Sequence, residues 1–332
     1  MSGATIVVQD VGVRYPGADR DALAVDALDV AAGEFVVLLG PSGCGKSTFL
    51  RTLNRLEIPS RGTIEIDGRD VASVPGPQLR RGIGYAIQAV GLFPHLTIGQ
   101  NVAIVPELLG WDAPRIAARV DELLALVRLE PARYRDRLPR ALSGGEQQRA
   151  GVARALAGEP PVLLMDEPFG AVDAIVRTAL QDELRRIHCE LGTTIVFVTH
   201  DVDEALRLAD RIVVMRAGKI EQAAAPLEML ARPATAYVAE LVGSDDAVRR
   251  LGLMPVRDAL RPTAVRSSDA RADATETSGG ADEKAIDADA SLREALWLLL
   301  DGAPALAVAD DGRRLGTIDL ASLRAALGTT RA

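Results

Sequence analysis

The side chains best equipped for chemistry lie in one run near the N-terminus, FVVLLGPSGCGKSTFL at residues 35–50. Five apolar residues (Phe35, Val36, Val37, Leu38, Leu39) stop at Gly40, and a helix-forming run starts at Lys46. Between them Gly40, Gly45, Lys46 and Ser47 have the spacing G-x-x-x-x-G-K-S, in the strand–turn–helix setting that this pattern requires. Glycines let successive backbone N–H groups converge on an anion, and the start of the following helix adds partial positive charge. A lysine placed there reaches the β- and γ-phosphates of a nucleotide, and the serine hydroxyl can ligate Mg²⁺. The pattern implies a nucleoside-triphosphate site. Cys44 lies inside the same loop, so a thiol reagent is expected to block that site, with the nucleotide protecting; a small residue packed under the loop is the other reading.

Further along, the apolar run Val162–Met165 ends in two adjacent acids, Asp166 and Glu167. Two carboxylates directly after a buried strand are costly unless they act. Asp166 is placed to hold Mg²⁺ through its water shell, and Glu167 to accept from or orient the attacking water. A second apolar strand, Thr193–Thr199, ends at His200, and ligands collect at the carboxyl ends of strands in sheets of this kind. In LSGGEQQRAGVARALA, Ser143 followed by Glu146 forms a capping-box pattern, which puts Gly144 and Gly145 at a second anion-binding helix start. Tyr15, in VRYPG before the first turn, could stack on a purine base or be an ordinary half-buried tyrosine.

The elements that must position these groups alternate between strand and helix. Short β-like runs (Thr5–Val8, Leu28–Val30, Phe35–Leu39) are separated by turns at Pro16-Gly17 and Ala32-Gly33. A helix is expected from Ser47 to about Leu56, an antiparallel strand within Gly62–Gly68 and a short strand within Gly82–Gln88. Over residues 112–140, Ile116, Val120, Leu123, Leu124, Val127 and Leu129 fall on one helical face. A helix from about Ile175 to Leu191 precedes the strand that ends at His200.

With 332 residues, 48% of them apolar and 25% charged, the chain suits roughly two globular domains. A formal charge of −8 argues against a nucleic-acid backbone as main partner. Two cysteines cannot form a disulfide framework, which points to a reducing cytoplasm. The N-terminus lacks a signal pattern, and the apolar runs fall short of the roughly 18–20 residues of a spanning helix.

Residues 4 to 243 resemble the ATP-binding subunit of an ABC transporter. The loop Gly40, Pro41, Ser42, Gly43, Cys44, Gly45, Lys46, Ser47, Thr48 resembles the Walker A motif, LSGGEQQ (Leu142–Gln148) the family signature and Val162–Glu167 Walker B. Gln88 matches the Q-loop, Ala171-Val172-Asp173 the D-loop, His200 the switch histidine and Tyr15 the A-loop aromatic. The resemblance implies an α/β cassette over 1–243: a P-loop core sheet flanked by helices, an antiparallel β subdomain and a helical signature subdomain at about 90–157. It implies ATP and Mg²⁺ as cofactors, with Gln88 joining Ser47 and Asp166 at the metal. It also implies a head-to-tail homodimer in which Ser143, Gly144, Gly145 and Glu146 of one copy face ATP on the other. Gln88–Pro106 resembles the surface that grips the coupling helix of a membrane permease.

A narrower resemblance lies in IQAVGLFPHLTIGQNVAIVPELLGW, YRDRLPRALSGGEQQR, QDELRRIHCELGTTIVFVTHDVDEAL and DRIVVMRAGKI, which are similar to quaternary-amine importers. That implies an integral-membrane permease and an extracellular substrate-binding protein as partners. The ATPase would then be cytoplasmic and peripheral on the inner face of the membrane. Import of another solute is a second reading. A soluble ABC-type ATPase is a third, disfavoured by the single cassette and the lack of coiled-coil heptads or a Cys/His cluster.

From Gly243 the composition changes. Residues 244–289 read as a linker holding a disordered insert at about 264–284. Residues 290–328 read as helix, strand, turn, strand, helix, with a hairpin turn at Asp310–Gly312. This small α+β tail resembles a single cystathionine-β-synthase (CBS) motif, with Met254–Pro262 as its leading segment. Its apolar helix faces imply pairing with the same motif of a second chain.

Overall fold

The computed structural model describes residues 3–87, 91–170, 172–244, 246–260, 284–310 and 312–329. Gln88, Ala171 and nearly all of the expected insert lie outside the described residues. The chain divides into two compact units, 1–225 and 226–332.

In the first unit the chain runs through β1 (Ile6–Val13), β2 (Leu23–Val30), β3 (Phe35–Leu39), α1 (Lys46–Leu53), β4 (Arg61–Ile66), β5 (Arg69–Asp70), α2 (Gly76–Arg81) and β6 (Ile83–Ala86). Four helices follow: α3 (Ile98–Leu108), α4 (Ala113–Leu126), α5 (Pro131–Tyr134) and α6 (Gly144–Leu156). Then come β7 (Val162–Asp166), α7 (Ala174–Leu191), β8 (Thr194–Thr199), α8 (Val202–Leu208), β9 (Arg211–Arg216) and β10 (Lys219–Ala224).

Two sheets result. One has the order β2-β1-β4-β5 and is antiparallel. The other has the order β10-β9-β3-β8-β7-β6, parallel except for β10. β3, β7 and β8 are buried along their whole length, as near-continuous apolar runs require when both faces of a parallel sheet are covered. On one face, Val36, Leu38, Val196 and Val198 pack with Phe49, Leu50 and Leu53 of α1 and with the apolar side of the antiparallel sheet. On the other, Phe35 meets Phe197 at 6.0 Å between ring centroids, and Phe169 meets Phe197 at 5.9 Å. Each such side chain contributes about 1.5–3 kcal/mol of burial.

Register does the positioning. Leu39 lies opposite Thr199, and Asp166 opposite Val198. The residues just beyond, Gly40, His200 and Glu167, therefore emerge along one carboxyl edge of the sheet. The expected helical face at 112–140 is α4 with the turn after it: Val120, Leu123, Leu124, Val127 and Leu129 are buried, and Ile116 is half-buried.

The second unit contains α9 (Pro226–Ala231), α10 (Ala236–Val242), α11 (Ala247–Leu253), β11 (Ala285–Asp287), α12 (Leu292–Leu300), β12 (Leu306–Asp310), β13 (Arg313–Ile318) and α13 (Leu320–Thr329). β11 runs parallel to β12, and β12 antiparallel to β13. The helix–strand–strand–helix order expected for 290–328 is present as α12, β12, β13, α13. The linker reading of 244–289 needs correction where that segment is described. Leu251, Met254, Val256, Ala259, Ile286 and Ala288 are buried in the core of this unit, and Val256 and Arg257 donate backbone hydrogen bonds to Ala290 and Ala288. A seven-residue helix and a three-residue strand are too short to register as sequence periodicity. The helices at 226–242, which the sequence reading places in the cassette, fall in this second unit.

Candidate active site

The phosphate loop leaves β3 at Gly40 and enters α1 at Lys46, with Gly45 as N-cap at φ 110°. Two glycines are dictated by space. A Cβ on Gly40 would overlap the Met215 carbonyl oxygen of β9, and one on Gly45 would stand 2.8 Å from the Ala22 carbonyl oxygen. Lys46 is only 5% exposed; its Nζ donates to the carbonyls of Gly40 (2.7 Å) and Pro41 (3.0 Å), which holds the ammonium at the loop. Cys44 is buried beneath the loop, with its Sγ 3.9 Å from Lys46 Nζ. Its place favours the packed-residue reading, since a reagent must open the loop to reach it.

Ser47 Oγ donates to Asp166 Oδ1 at 2.9 Å, joining the start of α1 to the end of β7. Asp166 is 3% exposed. Burial raises its carboxyl above the ordinary carboxylate range, with the Glu167 charge acting the same way, while the Ser47 hydrogen bond, Arg51 and Lys46 oppose the shift. A hydroxyl and a carboxylate set side by side fit the oxygen preference of Mg²⁺, which keeps several waters and takes few protein ligands. Among the described residues no group of three or more His, Cys, Asp or Glu is placed to hold a metal ion.

Glu167 leaves the strand in the left-handed region, φ 47°, a conformation that costs a glutamate about 1–3 kcal/mol and must be held by its surroundings. Its N–H donates to the Val198 carbonyl at 3.1 Å, so the backbone turns toward the end of β8. There Glu167 Oε1 lies 3.2 Å from His200 Nδ1. Asp173 caps α7, its carboxylate accepting from the Val176 N–H at 3.0 Å.

At α6 the capping box is complete. The Glu146 carboxylate accepts from the Ser143 N–H (2.7 Å) and the Ser143 hydroxyl accepts from the Glu146 N–H (3.3 Å). Tyr134 also donates to Glu146 at 2.6 Å. That bond, more than the Ser143 contacts, holds the Glu146 carboxyl below its ordinary range. A Cβ on Gly144 would meet nothing within 4 Å, so this helix start faces open space. Tyr15 is 40% exposed, its hydroxyl 3.5 Å from Thr48 Oγ1 and donating to Glu57 at 3.4 Å.

Lys46, Ser47, Asp166, Glu167 and His200 thus share one sheet edge, with Pro41 and Thr48 in the same loop. Sequence reasoning passed over Arg177, Gln181 and Glu204. Gln181 and Glu204 are buried, and Gln181 Nε2 donates to Glu204 Oε1 at 2.9 Å. Glu204 reads in the sequence as one more acid in a helix first turn, and only its burial distinguishes it.

Residues 24–170 match the model of the ABC transporter family. The chain is 53% identical over 235 residues to the glycine betaine uptake system ATP-binding protein YehX of Escherichia coli, covering 70% of this chain and 76% of that one. It is 50% identical over 242 residues to the glycine betaine/carnitine/choline transport ATP-binding protein OpuCA of Bacillus subtilis, covering 73% of this chain and 63% of that one. The chain therefore spans less than two thirds of the Bacillus relative. An ATP-binding cassette solved as a dimer in a post-hydrolysis state, bound to ADP and Pi, superposes with a TM-score of 0.62 at 32% identity, over 67% of this chain and 98% of that one. On this sequence identity and this shared fold, the chain belongs to the ABC transporter family, among its ATP-binding proteins.

Proposed function

We propose that the chain hydrolyses ATP to power import of a quaternary amine through a separate membrane permease. The observation that carries the reading is the joining of Ser47 to Asp166 and of Glu167 to His200 along one sheet edge. In this reading the loop N–H groups and Lys46 hold the β- and γ-phosphates, and Tyr15 stacks on the adenine. Ser47, Asp166 and Gln88 would hold Mg²⁺, which supplies positive charge against the phosphate oxygens. Glu167 takes a proton from the attacking water as its oxygen bonds to the γ-phosphorus. The bond to the β–γ bridging oxygen breaks, releasing ADP and phosphate. His200 holds Glu167 and the γ-phosphate in line.

The open helix start at Ser143, Gly144, Gly145 and Glu146 suits a phosphate brought by a second copy. That supports a head-to-tail homodimer, with Asp173 near the junction, closed by ATP and released by hydrolysis. The likeness to betaine and choline systems supports a quaternary amine as solute and an extracellular binding protein as third component. Among the described residues no helix is long and apolar enough to cross a membrane, so membrane attachment would run through the permease. Residues 290–328, with 254–262 as the leading segment, are read as a CBS-like half-module. Trp297 (65% exposed) and Leu300 (61% exposed) on α12 support its pairing with a second copy.

The test is ATP turnover by the chain assembled with its permease and binding protein. Stimulation by glycine betaine and not by maltose is the expected result. Stimulation by maltose, or assembly with no membrane subunit, would refute the assignment.

A further inference from the structure

The turn bearing His200 is held by residues outside the motifs. Arg177 and Gln181 lie one helical turn apart on α7. Asp201 and Glu204 lie at the N-cap and in the first turn of α8. Arg177 sits 3.8 Å from the Asp201 carboxylate, and Gln181 donates to Glu204 at 2.9 Å. The Thr199 hydroxyl donates to the Glu204 carboxylate and accepts from the Asp201 N–H at 3.0 Å. Both neighbours of His200 are therefore tied to α7, Thr199 through Glu204 and Gln181, and Asp201 through Arg177. The N-terminal end of the same helix is also tied to the segment before Asp173, since Arg177 donates to the Val172 carbonyl at 3.0 Å as well. A cavity of about 60 Å³ is lined by Glu167, Arg177, Thr199, His200 and Glu204 among others, so Glu204 shares a chamber with the pair it would serve.

A buried carboxylate is expensive. Desolvation pushes the Glu204 carboxyl above its ordinary range and the Asp201 charge adds to this, against hydrogen bonds from Thr199 and Gln181 and the charge of Arg177. A leucine would fill this position at lower cost. Catalytic constellations need such supporting contacts, because a displacement of about 1 Å can cost about 100-fold in rate.

We propose that Glu204 is a positioning residue for His200. With Gln181 and Thr199 it fixes the 199–201 turn so that the imidazole meets Glu167, and it couples that turn to α7 and the adjoining Asp173. The inference rests on the reading of Glu167 and His200 as the hydrolytic pair.

The test combines kinetics with a histidine signature that needs no turnover. The full chain has three histidines, so ¹³C-labelled Cε1–H resonances are few, and His200 is assigned by its loss in His200→Gln. In Glu204→Ala the His200 resonance is expected to shift and broaden while His95 stays in place. Turnover should fall about 10- to 100-fold with the KM for ATP within about twofold. Glu204→Gln, whose amide oxygen still accepts from Thr199 and Gln181, should restore turnover to within about threefold of wild type. If Glu204→Ala does not fold, Gln181→Ala takes its place, with the same displacement of the His200 resonance and a smaller loss of rate. An unmoved His200 resonance in the folded variant overturns the proposal, as does equal loss in Glu204→Gln and Glu204→Ala. Absence of ATP turnover in the wild type would defeat the hydrolytic reading instead, while the resonance would still report whether Glu204 positions His200.

Discussion

Glu167 and His200 come together because backbone brings them there. The Glu167 N–H donates to Val198, and two residues beyond Val198 the chain presents His200. Replacing Glu167 with Gln should therefore leave the local structure and ATP binding intact while hydrolysis falls by about three orders of magnitude, since only the proton acceptor is lost. Single-turnover hydrolysis and nucleotide titration separate the two effects. Lys46→Ala should act the other way round, with ATP affinity falling at least about tenfold, because the ammonium proposed to meet the phosphates would be gone. Near-wild-type turnover in Glu167→Gln would remove it as the residue that orients water. At this scale the sequence was legible where a motif has fixed spacing: Lys46, Ser47, Asp166 and His200 could all be located from their neighbours alone. Glu204 and Gln181 could not. Their significance is burial and mutual contact across 23 residues of chain, and neither leaves a trace in local spacing.

At the scale of the element, the phosphate loop depends on close approach of three chain segments. Gly40→Ala should destabilise the first unit by about 1–3 kcal/mol, because the new methyl would displace the Met215 carbonyl of β9. Thermal unfolding would show this, together with weakened nucleotide binding. Another element-level support is Asp210, between α8 and β9. Burial would raise its carboxyl, but His188, the Phe35 N–H and Arg185 together bring it down to about 2. A carboxylate depressed in the folded state contributes stability above its unfolded pKa and loses it as the pH falls through the folded value. Asp210→Asn should therefore cost about 1 kcal/mol at neutral pH, allowing for partial solvent screening, and the gap should close between about pH 4 and pH 2. Urea midpoints of both proteins measured from pH 7 downward would check it; a gap independent of pH would count against the ion-pair account. The long amphipathic run of α4 was readable from its periodicity, and the strands β3, β7 and β8 from their continuous apolar runs. The extension of β2 back to Leu23 and the short α11 and β11 were not, because exposed polar residues interrupt the first and the others are too brief.

At the scale of the whole molecule, each copy carries two helix starts able to meet phosphate: the loop before α1, with its lysine, and the capped start of α6, which faces open space. Two copies arranged head to tail would give each triphosphate both. Such an arrangement lies outside what the composition of one chain displays, because the composition of a surface does not say which other surface it meets; the similar cassette was solved as a dimer, and the head-to-tail order of the copies is part of the proposal. Ser143→Ala should then do two separable things: cost about 1 kcal/mol through the lost cap, and weaken ATP-driven association beyond what that destabilisation explains.

In the proposed cycle ATP joins two copies and its hydrolysis parts them. Sedimentation velocity of Glu167→Gln, with and without ATP and Mg²⁺, tests it directly. A shift from monomer to dimer with nucleotide, reversed in the additional presence of Ser143→Ala, is the predicted result. Glu167→Gln that binds ATP yet sediments as a monomer at every concentration, alone and with its membrane partner, would contradict it.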